Sequence, residues 1–304
     1  MNKSKTIILM TLLLNVCSCN QNNESTITMI IPDGTPLLGM SLYLKENNNV
    51  NYEITSGSES LSASFINESK DIIIAPVNLG ANMYSKTGKY VLFETFVWGN
   101  LFLVSRNQIT SFEDINNKQI AIFGTNQTPD IIMKTLAIEH EINYEKYYTD
   151  SVANSTALFM QGNVDYFVGA EPSLSSLKSK NPNLYVLDLQ EEWKKITGSS
   201  SYPQAGIFVK LSEVNRLKSH LKKMRDSVKD LFNDVNYTSE CALELPSLNK
   251  LGKDVIISAL PNCHFGIDIN QKEAIEFYYN KLESLNLSQT MGGVIPNEEF
   301  YLSI

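Results

Sequence analysis

The chain has 304 residues, a formal net charge of −8 at pH 7, and 43% apolar and 19% charged residues; its isoelectric point is about 5.1. This is the balance of a globular protein with room for one large domain or two ordinary ones, and it excludes long disorder and collagen-like repeats. An acidic surface repels phosphate backbones and argues against a nucleic-acid partner, and beyond the N-terminus no apolar run approaches the ~20 residues of a membrane span.

Lys3 and Lys5 open the chain, an apolar run covers 7–14, and Val16-Cys17-Ser18-Cys19 closes it. The run has the length of a signal-peptide core. Its end resembles a bacterial lipobox, with Cys19 as the lipid-bearing residue: Ser18 precedes it and Val16 stands three positions back. Residues 1–19 therefore read as a lipoprotein signal peptide and 20–26 as a polar tether. A lipid on Cys19 would hold the protein on the outer face of a membrane.

The body alternates strands and helices. Strand 27–31 ends at Pro32-Asp33-Gly34, and buried-helix spacing follows over 37–44. A short strand at 52–54 and a helix over 60–66 precede the continuous apolar run 71–77, which reads as a strand covered on both faces. A helix starts at Asn78. Aromatic-rich strand material spans 91–104 and is broken at Trp98-Gly99-Asn100. A second unit follows: strand 118–123, the turn Gly124-Thr125-Asn126-Gln127-Thr128 with Pro129 suited to a first helical turn, helices over 131–142 and 155–160, and strands at 165–170 and 184–189. Strand 205–209 returns to the first unit. The remainder reads as helices over 211–232, 238–245, 255–260 and 274–285, the first amphipathic with a lysine-rich solvated face.

The βαβ order predicts parallel sheets with right-handed crossovers. It divides the chain into one lobe, 27–105 with 206–304, and a second lobe, 106–205, with a cleft between them. In open sheets ligand loops lie at the carboxyl ends of strands.

Several pieces in chain order resemble the substrate-binding proteins of bacterial ABC importers, in the group that includes sulfonate, nitrate and thiamine-pyrimidine binders. They are the lipobox at Cys19, Pro32-Asp33-Gly34, the run from Asp71 to Asn78, Ser111-Phe112-Glu113-Asp114-Ile115 leading into Lys118, Gly162-Asn163-Val164-Asp165, Glu171-Pro172, and Met291-Gly292-Gly293-Val294-Ile295-Pro296 with Phe300-Tyr301. The resemblance implies a two-lobed α/β fold of the periplasmic-binding-protein type II class. It also implies a small-molecule solute held between the lobes, an ABC permease and ATPase as partners, no cofactor, and no catalysis. A same-fold enzyme acting on a small metabolite and a surface lipoprotein that binds another protein are the alternatives.

The expected ligand-binding residues are Asp33, Gly34, Thr35, Ser56, Asn78, Trp98, Asn100, Thr125, Asn126, Gln127, Glu171 and Tyr202, with Gln204 on a neighbouring cleft loop. Gly34-Thr35 and Gly124-Thr125 start helices whose backbone amides can hold polar groups. Of the 25 basic residues only Arg106, Arg216 and Arg225 are arginines, and a bidentate anion clamp normally uses Arg. Arg106, at a strand end, reads as a surface or hinge residue. Aromatic faces with acids and amides suit a flat nitrogen heterocycle, neutral or cationic. Trp98 is the expected stacking residue.

No metalloprotease, phosphate-loop, nucleophile-elbow or C-x-x-C motif occurs. His140, His220 and His264 are far apart in sequence, and the first two fall on polar stretches expected to face solvent. No metal ligand set is read. Cys241 and Cys263 form either a disulfide, which an extracytoplasmic location permits, or two buried thiols.

Overall fold

The computed structural model describes residues 26–267 and 271–304. The lipobox, Cys19 and nearly all of the tether lie outside the described residues.

The first sheet is built from β1 (Ile27–Pro32), β2 (Val50–Thr55), β3 (Ile72–Pro76) and β4 (Tyr90–Trp98). Between them lie α1 (Thr35–Gly39) and α2 (Ser41–Glu46), then α3 (Ser58–Ile66), then α4 (Val77–Thr87). The single helix expected over 37–44 is thus two short ones, broken at Met40. The second sheet holds β5 (Phe102–Ser105), β6 (Gln119–Phe123), β7 (Glu145–Thr149), β8 (Tyr166–Gly169) and β9 (Tyr185–Asp188). Its helices are α5 (Thr128–Glu139), α6 (Val152–Met160), α7 (Ser173–Lys180) and α8 (Leu189–Thr197). β10 (Pro203–Lys210) returns to the first sheet, followed by α9 (Val214–Asp230), α10 (Val235–Leu243), α11 (Lys253–Ala259) and α12 (Gln271–Ser284).

The strand orders are β2-β1-β3-β10-β4 and β7-β6-β8-β5-β9. In each sheet one strand runs against its neighbours: β10 is antiparallel to β3 and β4, and β5 is antiparallel to β8 and β9. The two sheets therefore repeat one topology. The second sheet starts at Phe102 and the return strand starts at Pro203, each within four residues of the lobe limits read from the sequence.

Alternation along each strand sends successive side chains to opposite faces. Ile72 and Ile74 of β3 enter one core with Met29, Ile31 and Ile207, while Ile73 and Ala75 enter another with Ile30 and Phe208. In β5, Leu103 faces one core and Phe102 and Val104 the other. The central strands of both sheets are covered on both faces, which explains their continuous apolar runs. α9 buries Leu217, His220, Leu221, Met224 and Val228 and leaves its lysines outside. His220, expected in solvent, is buried, with Nδ1 3.1 Å from the Tyr43 hydroxyl.

The chain crosses between sheets at 99–101 and 198–202. Gln190 binds the two crossings together: its Oε1 accepts the Leu101 N–H at 2.8 Å and the Tyr202 O–H at 2.6 Å, and its Nε2 donates to Asp188.

Candidate functional site

A cavity of about 680 Å3 lies between the two sheets. Its walls are the carboxyl ends of β1, β2, β3, β6, β7 and β8 and the first turns of the helices that follow them. This placement follows from the parallel topology, which gathers strand-to-helix loops on one edge of each sheet.

Of the residues expected at the site, Asp33, Gly34, Thr35, Ser56, Asn100, Thr125, Gln127 and Glu171 line the cavity, as does Gln204. Asn78, Trp98, Asn126 and Tyr202 do not. Asn78 is buried in the seam beside the cavity, where its Nδ2 donates to the Asn126 carbonyl at 3.1 Å and the Thr290 carbonyl at 3.2 Å. Asn126 is exposed, and its Oδ1 accepts from Lys134 at 3.2 Å. Trp98 donates its indole N–H to the Thr95 carbonyl at 3.2 Å and packs on the core. Tyr202 is fully buried, edge-on to Trp193. Its crossing-point position made it a cleft candidate, but its ring points into protein. Glu59, Asp150, Ser151 and Ser247 also line the cavity, although no sequence motif points to them. Asp150 and Ser151 follow β7, an exposed polar strand that left no apolar signal to locate the loop.

Glu171 joins the walls. Its amide donates to Asn100 Oδ1 at 3.0 Å, and its carbonyl accepts the Thr35 hydroxyl, which in turn accepts from Asn100 Nδ2. Its carboxylate accepts the Ser175 N–H and O–H, each at 2.9 Å, at the start of α7, and Asn262 Nδ2 at 3.4 Å. Burial pushes this carboxyl above the ordinary range, and the Ser175 bonds pull it partly back. Glu171 is therefore spent on its own helix and on the lobe contact. Thr35, Asn262 and Cys263 come from the first lobe, Glu171 and Ser175 from the second. A further ion pair, Lys281 Nζ to Glu139 Oε1 at 2.6 Å, ties α12 to α5.

Cys241 and Cys263 are separate buried thiols, so the disulfide alternative is not the one realised. Cys263 sits against Thr35 and Glu171, where burial pushes its thiol well up and keeps it protonated; Cys241 lies in the core with Leu245 and Leu248.

No Lys, Arg or His stands among the described residues lining the cavity; its ionisable residues are Asp33, Glu59, Asp150 and Glu171. The three arginines are committed elsewhere. Arg106 donates to the Val164 and Phe159 carbonyls, Arg216 pairs with Asp71 and Glu213, and Arg225 pairs with Glu94. By contrast, Gln127 Oε1 and Gln204 Oε1, from opposite lobes, and Ser247 Oγ are buried atoms without a protein partner. Buried acceptors are normally bonded, so these three are the polar atoms the protein leaves unsatisfied at this cavity. No group of His, Cys, Asp and Glu among the described residues is arranged to hold a metal ion, and no described helix is long and apolar enough to cross a membrane.

Residues 90–229 match the family model described as NMT1/THI5 like. Among solved structures, an ABC transporter from Parabacteroides distasonis is 19% identical over 92% of this chain and 99% of that one, with a TM-score of 0.75. The alkanesulfonate-binding protein SsuA from Xanthomonas axonopodis pv. citri, bound to MOPS, is 12% identical over 90% and 95%, at 0.64. PhnD1 from Prochlorococcus marinus, in complex with methylphosphonate, is 12% identical over 87% and 100%, at 0.55. No curated protein matches. The fold is that of the two-lobed periplasmic binding proteins, and the family resemblance drawn from the sequence is borne out.

Proposed function

We propose that the protein is the extracytoplasmic solute-binding component of an ABC importer. It takes a small organic molecule between its lobes and presents it to a permease driven by an ATPase. The observation that carries this reading is the interlobe cavity, about 680 Å3 and lined by both lobes, with an unpartnered glutamine acceptor on each wall. Volumes of this order suit metabolite-sized ligands. A ligand with N–H donors would satisfy Gln127 and Gln204 together only when the lobes are close, which couples binding to closure. A nitrogen heterocycle, such as a thiamine-pyrimidine-like compound, combines such donors with a flat apolar body.

The absence of a nucleophile–base pair among the described lining residues, and the commitment of the Glu171 carboxylate to Ser175 and Asn262, favour binding over catalysis. The lipid on Cys19 is the proposed anchor. Cys19→Ser should release the folded protein from membranes; continued sedimentation with them would remove the anchor from the reading. The main test is mass spectrometry of small molecules released by denaturing the purified protein. A recurrent compound that raises the thermal midpoint when added back supports the proposal. Turnover of that compound by the protein would replace it with the enzyme alternative.

A further inference from the structure

The charge of the solute follows from the cavity wall, granted the solute-binding reading above. Four carboxylate residues face the cavity, and no cationic side chain does among the described residues. The opposing contribution comes from helix N-termini. α1, α3, α4, α5, α6 and α7 all begin at the cavity, and each brings up to about half an elementary charge. Together they offset up to about three of the four formal negative charges, which leaves the wall net negative.

Their capacity for an external anion is smaller still, because protein groups already serve them. Glu171 accepts the Ser175 N–H at the start of α7. Ser151 Oγ accepts the Asn154 N–H at the start of α6. Glu59 lies in the first turn of α3 and Asp130 in that of α5, where it accepts the Asn126 N–H at 2.8 Å and pairs with Lys134. An anion would meet this wall with no cationic side chain among the described residues to receive it.

Two acids remain uncommitted. Glu59 of the first lobe and Asp150 of the second have no protein partner among the described residues, and the three orphaned atoms, Gln127 Oε1, Gln204 Oε1 and Ser247 Oγ, all can accept. This wall, with four carboxylate residues and no cationic side chain among the described residues, is the complement of an ammonium or a protonated ring nitrogen, which carries N–H donors and a positive charge. We infer that the solute is an organic cation, charged on a protonated nitrogen, with Glu59 and Asp150 as its counter-charges across the cleft.

The test works before the molecule is identified. A small-molecule cell extract is sorted at pH 7 into a fraction held by a cation exchanger, a fraction held by an anion exchanger and a neutral flow-through. Each is added to the ligand-stripped protein while the thermal midpoint is followed. Stabilisation by the cation-exchanger fraction is expected, and about tenfold more of it should be needed by the Glu59→Gln, Asp150→Asn double variant, since two solvated ion pairs are lost. Both residues are exposed, so the unliganded variant should melt with the parent. Stabilisation confined to the neutral or anionic fraction overturns the inference and leaves the binding reading standing. Stabilisation by the cation fraction without any change in the double variant overturns the assignment of the two counter-charges. If no fraction stabilises the protein, the solute-binding reading itself fails, and the inference with it.

Discussion

The Gly99 amide donates to the Tyr202 carbonyl at 2.9 Å, so the two crossings between the lobes are bonded to each other. Gly99 has φ of 76°, and a Cβ there would lie 2.4 Å from Gln190 Cγ and 2.8 Å from Ser201 Oγ. Gly99→Ala combines a left-handed backbone penalty with overpacking, together about 2–4 kcal/mol of stability. Chemical denaturation would measure it. A loss below about 1 kcal/mol would mean that the Gln190 side chain yields freely and that the crossing is not tightly packed.

Gln190 gives a second handle on the same place. Gln190→Leu keeps roughly the shape but strips the acceptor from the Leu101 N–H and the Tyr202 O–H, both buried. Each orphaned donor costs about 1–3 kcal/mol, whereas Tyr202→Phe alone should cost about 1 kcal/mol. In the Gln190→Leu background the Tyr202→Phe change should become nearly neutral. Simple additivity of the two would show that the Tyr202–Gln190 bond contributes little.

Glu171 predicts a pH dependence of definite sign. Burial raises its carboxyl pKa in the folded protein above the ordinary glutamate range. The native state therefore holds this proton to higher pH than the unfolded chain does. Stability from this group is full below the unfolded pKa and is lost as pH rises from there through the folded pKa. Glu171→Gln lacks the titration. Its deficit relative to the parent should shrink as pH rises from about 4.3, the value of an unperturbed glutamate. Denaturation curves for both proteins between about pH 4 and 7 decide it; a deficit that stays constant or grows over that range would contradict the burial argument.

Trp98 reverses the role its sequence context implied. A tryptophan beside a chain crossing invites a stacking role, yet the ring is bonded to Thr95 and packed on the core outside the cavity lining. Trp98→Ala should lower the stability of the unliganded protein by about 2–4 kcal/mol, as removal of a largely packed ring does. Solute affinity should change by less than about threefold, within about 0.7 kcal/mol. Titration calorimetry with the released compound checks this; a loss of affinity of about tenfold at unchanged stability would return Trp98 to the site.

The sheets were legible where burial on both faces left continuous apolar runs, as at β3 and β6. β7, Glu-Lys-Tyr-Tyr-Thr, is an exposed edge strand with no such run, and α7, Ser-Leu-Ser-Ser-Leu-Lys-Ser-Lys, buries only Leu174 and Leu177. Both were invisible, and the loop after β7 went with them. The parts of the site that could be read, Asp33 to Thr35, Thr125, Gln127 and Glu171, sit directly after recognisable strands, where topology alone puts them at the cleft. Ser247 arrives from the C-terminal helices of the first lobe, and Trp98 and Tyr202 turn away into protein. Both facts depend on tertiary packing, which local sequence does not encode. The division of Cys241 and Cys263 into separate buried positions has the same origin.

The strongest test of the cavity uses its unsatisfied glutamines. Gln127 Oε1 and Gln204 Oε1 are buried without partners, and a buried acceptor left unmade costs about 1–3 kcal/mol. In a structural residue, truncation would remove packing and destabilise. In a residue held for a ligand, Gln127→Ala or Gln204→Ala removes a liability from the empty protein, so its stability should stay level or rise by up to about 1 kcal/mol. Solute binding should weaken by about tenfold for each, the loss of one ligand hydrogen bond of about 1.4 kcal/mol. The two residues lie on opposite lobes, so the double variant should also lose the ligand-induced decrease in radius of gyration at solute concentrations that close the parent. Scattering and calorimetry on the same samples separate the cases. If both single variants are destabilised while affinity is retained, the glutamines are packing residues and the solute is held by other groups of the cleft.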